Sequence, residues 1–373
     1  MATVNQKLAE AGLSHSIDLQ QYTNGVVYKM IALLNSVDAD LMGQLTASLE
    51  RMPEGSFNAK RLDALLVSVR DINREAYDAI QRELTPELRA LTAYEAAYQY
   101  ELFQTTIPQA VTAQIAVGAV NVEKAYTAAM SRPFQGRLLT EWMSDLEESR
   151  AKRIRDAVRM GYVESQTIPQ IVRRIKGTRA NKYADGIIQI DRRNAEAVVR
   201  TAIGHMAAET HNRFLEKNDD LINGVIWDAT LDTRTTVHIC VPRDGKKYTN
   251  ITFKPIGHSL PWLGGAGRAH WNCRSSAVPS IKTLKELGID LPDINATSTR
   301  ASMDGQVSAD ITYGQWIQNQ SPARQNEVLG VKRAKLMRDG GLTMDKFTND
   351  KGIWINLDEL KQRNARAFAK AGL

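Results

Sequence analysis

The sequence predicts a mainly α protein with one small α+β module: a long helical N-terminal region, a loop-rich module with short strands, and a helical tail. Three observations predict it. Apolar residues recur at three- and four-residue steps through most of the first 215 positions. At Asn223-Gly224 the texture changes, and Val225-Ile226-Trp227-Asp228-Ala229-Thr230-Leu231 reads as a strand. Four glycines then fall between Gly257 and Gly267, and short helical pieces resume beyond Pro279. The expected organisation is a helical region over 1–190, the module over 191–280 and the tail over 281–373.

Along the chain, Val26, Met30, Leu33, Leu34, Val37, Leu41, Leu45 and Leu49 make one stripe, which is more apolar surface than a lone helix can hide. Pro53-Glu54-Gly55-Ser56 breaks it, and a second helix is expected from Ala59 to Leu84. Thr85-Pro86-Glu87 supplies a cap, a first-turn proline and an acidic first-turn residue, so a new helix should start there. Thr106-Ile107-Pro108 is the next break. The run 109–120 reads as a buried helix, its interspersed Gln and Thr arguing against a membrane segment. Ser131-Arg132-Pro133 marks another boundary. Helices follow over 138–160, over 169–175 with Gly177 as the stop, and over 192–217. In the last of these, Ala195, Val198, Val199, Ala202, Ile203, Met206 and Phe214 share a side. Further extended pieces are expected at Lys247-Tyr248 and Ile251-Thr252-Phe253, and a polar connector over 295–306.

Composition narrows the function classes. In 373 residues, 43% hydrophobic and 24% charged content excludes wholesale disorder, and two cysteines exclude a disulfide scaffold. No apolar run is long enough to span a membrane, and the first residues lack a basic flank followed by an apolar core. Synthesis in a reducing cytoplasm with no membrane anchor is the expectation. The net charge of +6 is uneven: −5 over 1–130, +6 over 131–215 and +5 over 216–373. The basic middle can be a phosphate-contacting surface; alternatively it is a solvated face of mixed charge, as Glu147-Glu148-Ser149-Arg150 suggests.

Both cysteines sit in the module, in His238-Ile239-Cys240 and His270-Trp271-Asn272-Cys273. Two close pairs of N/S donors joined by a loop can build a tetrahedral site, so His238, Cys240, His270 and Cys273 are candidate ligands of a structural Zn2+. The alternatives are two small buried hydrophobes, or a Cys240–Cys273 disulfide. Residues 224–280 should bring the two sulfurs together in a compact unit. Asp232, Arg234 and Thr235 follow the strand, Asp244-Gly245 makes a turn, and Arg274 follows Cys273. Arginines beside carboxylates make bidentate bonds that staple irregular loops, so Arg234 and Arg274 should each be bonded. A catalytic reading would make Asp232 or Asp244 a general base and His270 an acid, but no nucleophile or phosphate loop accompanies them.

The ordered set Thr230-Leu231-Asp232-Thr233-Arg234-Thr235, Cys240, Asp244-Gly245-Lys246 and His270-Trp271-Asn272-Cys273-Arg274-Ser275 resembles the tailed-phage head morphogenesis family, also called the Mu F-like or minor head protein family. Tail segments Thr312-Tyr313-Gly314-Gln315-Trp316, Gln320-Ser321, Glu327-Val328-Leu329-Gly330, Arg333-Ala334-Lys335-Leu336 and Leu357-Asp358-Glu359-Leu360 are similar to the same proteins, so the match covers roughly 195–360. Many members carry two cysteines in the first cluster; here only Cys240 stands there, so either His238 takes the place of the missing ligand or metal has been lost altogether. The resemblance implies a non-enzymatic minor virion protein inside the head near the portal vertex. It further implies a portal protein and a major capsid or scaffolding protein as partners, packaged double-stranded DNA as a contact, and roles in head assembly and DNA packaging or delivery. Two rivals remain: a metal-dependent nuclease or hydrolase on the Cys/His set, and a DNA-binding protein ejected with the genome.

Overall fold

The computed structural model describes residues 4–51, 59–289, 299–308 and 310–373. The fold is mainly α with a small antiparallel sheet and a helical tail, as the sequence predicts. The chain folds into two compact units, each drawn from separated stretches. None of the described helices is long and apolar enough to cross a membrane.

One unit takes Gln21–Leu91 and Met130–Ile203. Its helices come from α1 (Val4–Glu50), α2 (Ala59–Thr106), α5 (Leu139–Val163), α6 (Ile168–Lys176) and α7 (Ile187–Lys217); between them in sequence lie α3 (Gln109–Thr112) and α4 (Val122–Met130). The α1 stripe is buried at Val26, Met30, Leu34, Leu41, Leu45 and Leu49. Its lower half packs with Leu66, Val69, Ile154, Val158, Ile171 and Ile175. The expected break at Pro53-Glu54-Gly55-Ser56 lies outside the described residues. The start expected at Thr85-Pro86 does not occur, because α2 runs straight through Pro86. Ile80, Leu84, Leu88 and Leu91 keep one buried stripe in phase across the proline. The Thr85 hydroxyl donates to the Gln81 carbonyl at 2.7 Å, so packing and a local bond outweigh the missing N–H.

A buried charge sits in this helical unit. Arg150 is fully buried and pairs with Asp38, whose other oxygen accepts from Arg192 Nη2 at 2.6 Å. Arg153 bonds Asp191 at 3.1 Å. Removing Asp38 would leave a guanidinium in the core without its counter-ion. Asp38→Ala should therefore lose about 3–5 kcal/mol in denaturant unfolding, whereas a loss under about 1 kcal/mol would show that Arg150 finds other compensation.

The other unit takes Met1–Gln20, Thr92–Ala129 and Gly204–Leu373. Its sheet contains β1 (Ile222–Asp228), β2 (Lys247–Tyr248), β3 (Pro255–Ile256) and β4 (Ser276–Ile281), in the order β3-β2-β1-β4 and antiparallel throughout. Val225 pairs with Tyr248 on one side and Pro279 on the other. Val225 and Trp227 point into a core shared with Leu8, Phe103, Val111, Phe214 and Trp262. β1 starts and ends three residues earlier than expected, so 229–231 leave the ladder and become loop. Ile251 and Phe253, expected to be extended, instead adopt left-handed φ values of 63° and 49°. The 109–120 segment is helical only in α3. Beyond it the Gly118 backbone exchanges bonds of 2.7 and 3.0 Å with the Asn218 side chain, so the chain finds its partner there and not in a helical turn.

A one-turn helix, α8 (Cys240–Arg243), precedes β2. Where a polar connector over 295–306 is expected, 299–308 form a hairpin of β5 (Thr299–Ser302) and β6 (Gly305–Ser308) that runs two residues beyond it; 290–298 lie outside the described residues. The tail helices are α9 (Tyr313–Gln318), α10 (Pro322–Leu329), α11 (Val331–Arg338), α12 (Leu357–Arg363) and α13 (Ala365–Ala371). Thr312, Ser321 and Asn356 cap α9, α10 and α12 with side-chain oxygens. Tyr313, Trp316, Leu336, Phe347, Leu360 and Phe368 bury against one another and against Leu231 and Val241 of the module.

Candidate metal centre and its carboxylate hubs

Cys240 opens α8, and Cys273 follows a tight turn in which Asn272 takes φ 57°. Asn tolerates that left-handed position, and it lets the Cys273 N–H return to the His270 carbonyl at 3.2 Å. The three donor atoms of Cys240, His270 and Cys273 lie within 4.8 Å of one another. The sulfurs are 3.8 Å apart, and Cys240 Sγ is 3.1 Å from His270 Nε2. Both cysteines are free thiols. A tetrahedral ion with bonds of about 2.3 Å to sulfur needs an S···S edge of about 3.8 Å, so the spacing of the two sulfurs fits a metal. His270 Nδ1 is 2.8 Å from the Trp271 carbonyl, which can only accept; the proton therefore sits on Nδ1 and leaves Nε2 for a metal.

The electrostatics favour ligand chemistry. Its hydrogen bond with Cys273, together with burial, pushes the Cys240 thiol up. The same bond, aided by His270, draws Cys273 well below the ordinary thiol range. Burial opposes the charge on His270, but its bond to Cys273 and the charge there outweigh burial and raise it. The same bonds thus shift the two thiols in opposite directions, Cys273 toward the anionic form that a metal ligand needs.

His238 is not one of the gathered donors. Its ring is exposed and stands edge-on to Trp354 at 5.1 Å. Because α8 begins at Cys240, the residue two before it leaves by a different route, and the H-x-C pair does not close on one ion. Among the described residues the potential ligand set is three, not the expected four.

Two carboxylates organise the loops around the thiols. Asp232 accepts from the Arg234 backbone N–H at 3.0 Å and the Thr235 hydroxyl at 3.1 Å. It also accepts both terminal nitrogens of Arg274, Nη2 at 2.8 Å. Burial would raise its pKa, but these bonds win and lower it. Asp244, 6% exposed, accepts from the Ala229 N–H at 2.8 Å, the Tyr313 N–H at 2.6 Å and Arg300 at 3.0 Å. Gly245 at φ 73° turns the chain so that its N–H reaches the Trp227 carbonyl at 2.8 Å. Arg234 departs from expectation: its main chain is used by Asp232, while its exposed guanidinium lines a cavity of about 210 Å3.

Sequence reasoning missed Arg300, Asp228 and Arg243. Arg300 sits in the stretch read as connector, and bonds Asp228 at 2.5 Å, the Ala229 carbonyl at 2.6 Å and the Ile311 carbonyl at 2.9 Å. Arg243 is buried and donates to the Pro261 and Ile239 carbonyls at 2.8 and 2.7 Å, fastening the glycine loop over the module. The only signal for either was an arginine in a loop-rich stretch. No family model, curated protein or solved structure matches the chain.

Two outcomes follow from these bonds. Arg274→Lys should lose about 1.5–3 kcal/mol of thermal stability, since one ammonium cannot replace a fork to a buried carboxylate, whereas Arg234→Lys should stay within about 0.5 kcal/mol. Equal effects would remove the distinction drawn between them. The second outcome concerns pH. Burial, reinforced by Asp244 and opposed by Arg300, pushes Asp228 up to about 6, above its unfolded value. Its contribution to stability is therefore full at low pH and lost as pH rises through about 6. Relative to the parent, Asp228→Asn should gain stability as pH goes from about 4 to about 7; a gap that does not change with pH would contradict the assignment.

Proposed function

We propose that this chain is a minor head protein of a tailed phage, bound to the portal inside the capsid and acting in head assembly and DNA packaging or delivery, with no catalytic turnover. One observation carries the reading. The residues behind the resemblance are far apart in sequence, yet they join in one bonded set: Asp232 to Arg274, Asp244 to the Tyr313 N–H, the Tyr313 hydroxyl to the Asp232 carbonyl at 2.7 Å, and Cys240 to Cys273 and His270. Such a set holds a shape, and its carboxylates are engaged by arginines and backbone N–H groups of the loops they join. Portal, major capsid or scaffolding proteins are the partners this reading expects, with packaged double-stranded DNA as a further contact. A portal ring from the parent phage should co-purify with the full chain, and heads assembled without the chain should be defective; failure of both would remove the reading.

Zn2+ is the metal proposed for Cys240, Cys273 and His270 Nε2, since two thiolates and an imidazole suit a borderline-soft ion without redox chemistry. Bound there, it would lock the turn at Asn272 onto α8. One Co2+ per chain, with a thiolate-to-metal absorption band that Cys273→Ser abolishes, is the expected readout; no binding at stoichiometric metal would sink the proposal.

A hydrolase is the second reading, favoured by a ligand set of three and by Asp228, whose pKa is near 6 in a cavity that also holds Arg234. Against it, none of the three donors lines that cavity, so metal and carboxylate do not face one space. Purified protein with divalent metal should leave DNA intact. Cleavage that disappears in His270→Ala would promote the hydrolase.

A further inference from the structure

We infer that the loop joining α6 to α7 is a phosphate-contacting site for the backbone of double-stranded DNA. The loop is Thr178-Arg179-Ala180-Asn181-Lys182-Tyr183-Ala184-Asp185, and two glycines close its neck. A Cβ on Gly186 would stand 2.3 Å from the Lys176 carbonyl oxygen, and one on Gly177 would stand 2.7 Å from that of Tyr183. The strands of the neck touch at a distance that only glycine permits. Asp185 fastens the interior, accepting from the Thr178 N–H at 2.8 Å, its hydroxyl at 2.7 Å and Asn181 Nδ2 at 3.0 Å.

That fastening has a consequence for the surface. Lys182 and Tyr183 are held in consecutive left-handed conformations, φ 50° and 63°, which side-chain-bearing residues keep only when their surroundings impose them. Both side chains are exposed, Tyr183 by 42%. Lys176 Nζ lies 5.7 Å above the Tyr183 ring. Arg193 Nη2 donates to the Ala184 carbonyl at 2.9 Å, a neutral partner that leaves its charge uncompensated. Lys176, Arg179 and Lys182 are exposed, with no ion pair among the described residues. Four cations thus lie in or beside a loop with one carboxylate, and that carboxylate is occupied by the loop itself.

The rest of the basic middle does not look like this. Arg150, Arg153 and Arg192 are consumed by Asp38 and Asp191, and Arg174 by Glu164 at 2.5 Å. Lys152 and Arg173 are exposed on helices without a salt bridge among the described residues, but Lys176, Arg179, Lys182 and Arg193 gather in or beside one pre-shaped loop. A protein partner would ask for an apolar centre ringed by polar groups. Here Tyr183 is the only large apolar side chain of the loop, flanked by alanines, whereas phosphates need only cations and a fixed frame.

The inference rests on the head-protein reading for where such DNA is met, but binding by the purified chain is independent of it. The test is anisotropy of a short labelled duplex of arbitrary sequence, titrated with the full chain at several salt concentrations. The Lys176→Gln/Arg179→Gln/Lys182→Gln variant should bind on the order of tenfold or more weakly at low salt. Its slope of log K against log salt should shrink by about 2.7, from three lost contacts at about 0.9 each. A matched variant in the tail, Lys332→Gln/Arg366→Gln/Lys370→Gln, should keep the parental slope. Equal losses in the two variants, no loss in the loop variant, or no binding by the parent would each overturn the inference. So would a loop variant that loses polyglutamate binding while keeping duplex binding. Any of these results alongside portal co-purification would leave the head-protein reading standing.

Discussion

The fold of the C-terminal module depends on the Asp244 carboxylate more than on any ladder of strands. With two oxygens it receives the N–H of Ala229 where β1 gives out, the N–H of Tyr313 where α9 begins, and the guanidinium of Arg300 from the β5–β6 hairpin. Three segments distant in sequence are thereby held to one residue. Most backbone in such a module cannot satisfy itself through regular structure, so a buried carboxylate stands in for the missing ladder. Arg300 sets a guanidinium against Asp244 and Asp228 and closes two further carbonyls, so Asp244 is not buried without a counter-ion.

The thiols inherit their geometry from these hubs. Cys240 and Asp244 bracket the single turn of α8, and Cys273 is covalently next to Arg274, which Asp232 grips. A chain that satisfies both carboxylates has little freedom in where the two sulfurs go, and they finish 3.8 Å apart. Metal affinity here would be a product of loop stapling, and a bound ion would reinforce the same closure. The pairs that could transfer protons are the ones spent holding the loops.

Much of the helical part could be read from periodicity, because buried stripes such as Val26 to Leu49 record their own partner face. Where reading failed, a non-local interaction had overridden a local signal. Pro86 carries every mark of a helix start, yet Leu84, Leu88 and Leu91 keep α2 continuous. Of the thiol site, Cys240, His270 and Cys273 were legible from residue type alone. His238 was not separable from them, because the departure of its ring toward Trp354 depends on a tail residue more than a hundred positions away. Arg300 was invisible for the same reason: nothing near it in sequence states that Asp228 and Asp244 lie opposite.

A double-mutant cycle between Asp244 and Arg300 tests this account most directly. Unfolding free energies of the parent, Asp244→Ala, Arg300→Ala and the double variant give their coupling, provided each single change removes the contact without making a new one. If the carboxylate and guanidinium hold the module as described, the coupling is large, about 1.5–3 kcal/mol, and the double variant is little worse than the worse single one. If the two losses add to within about 0.5 kcal/mol, the residues act independently, and the module is held by its sheet and cores instead.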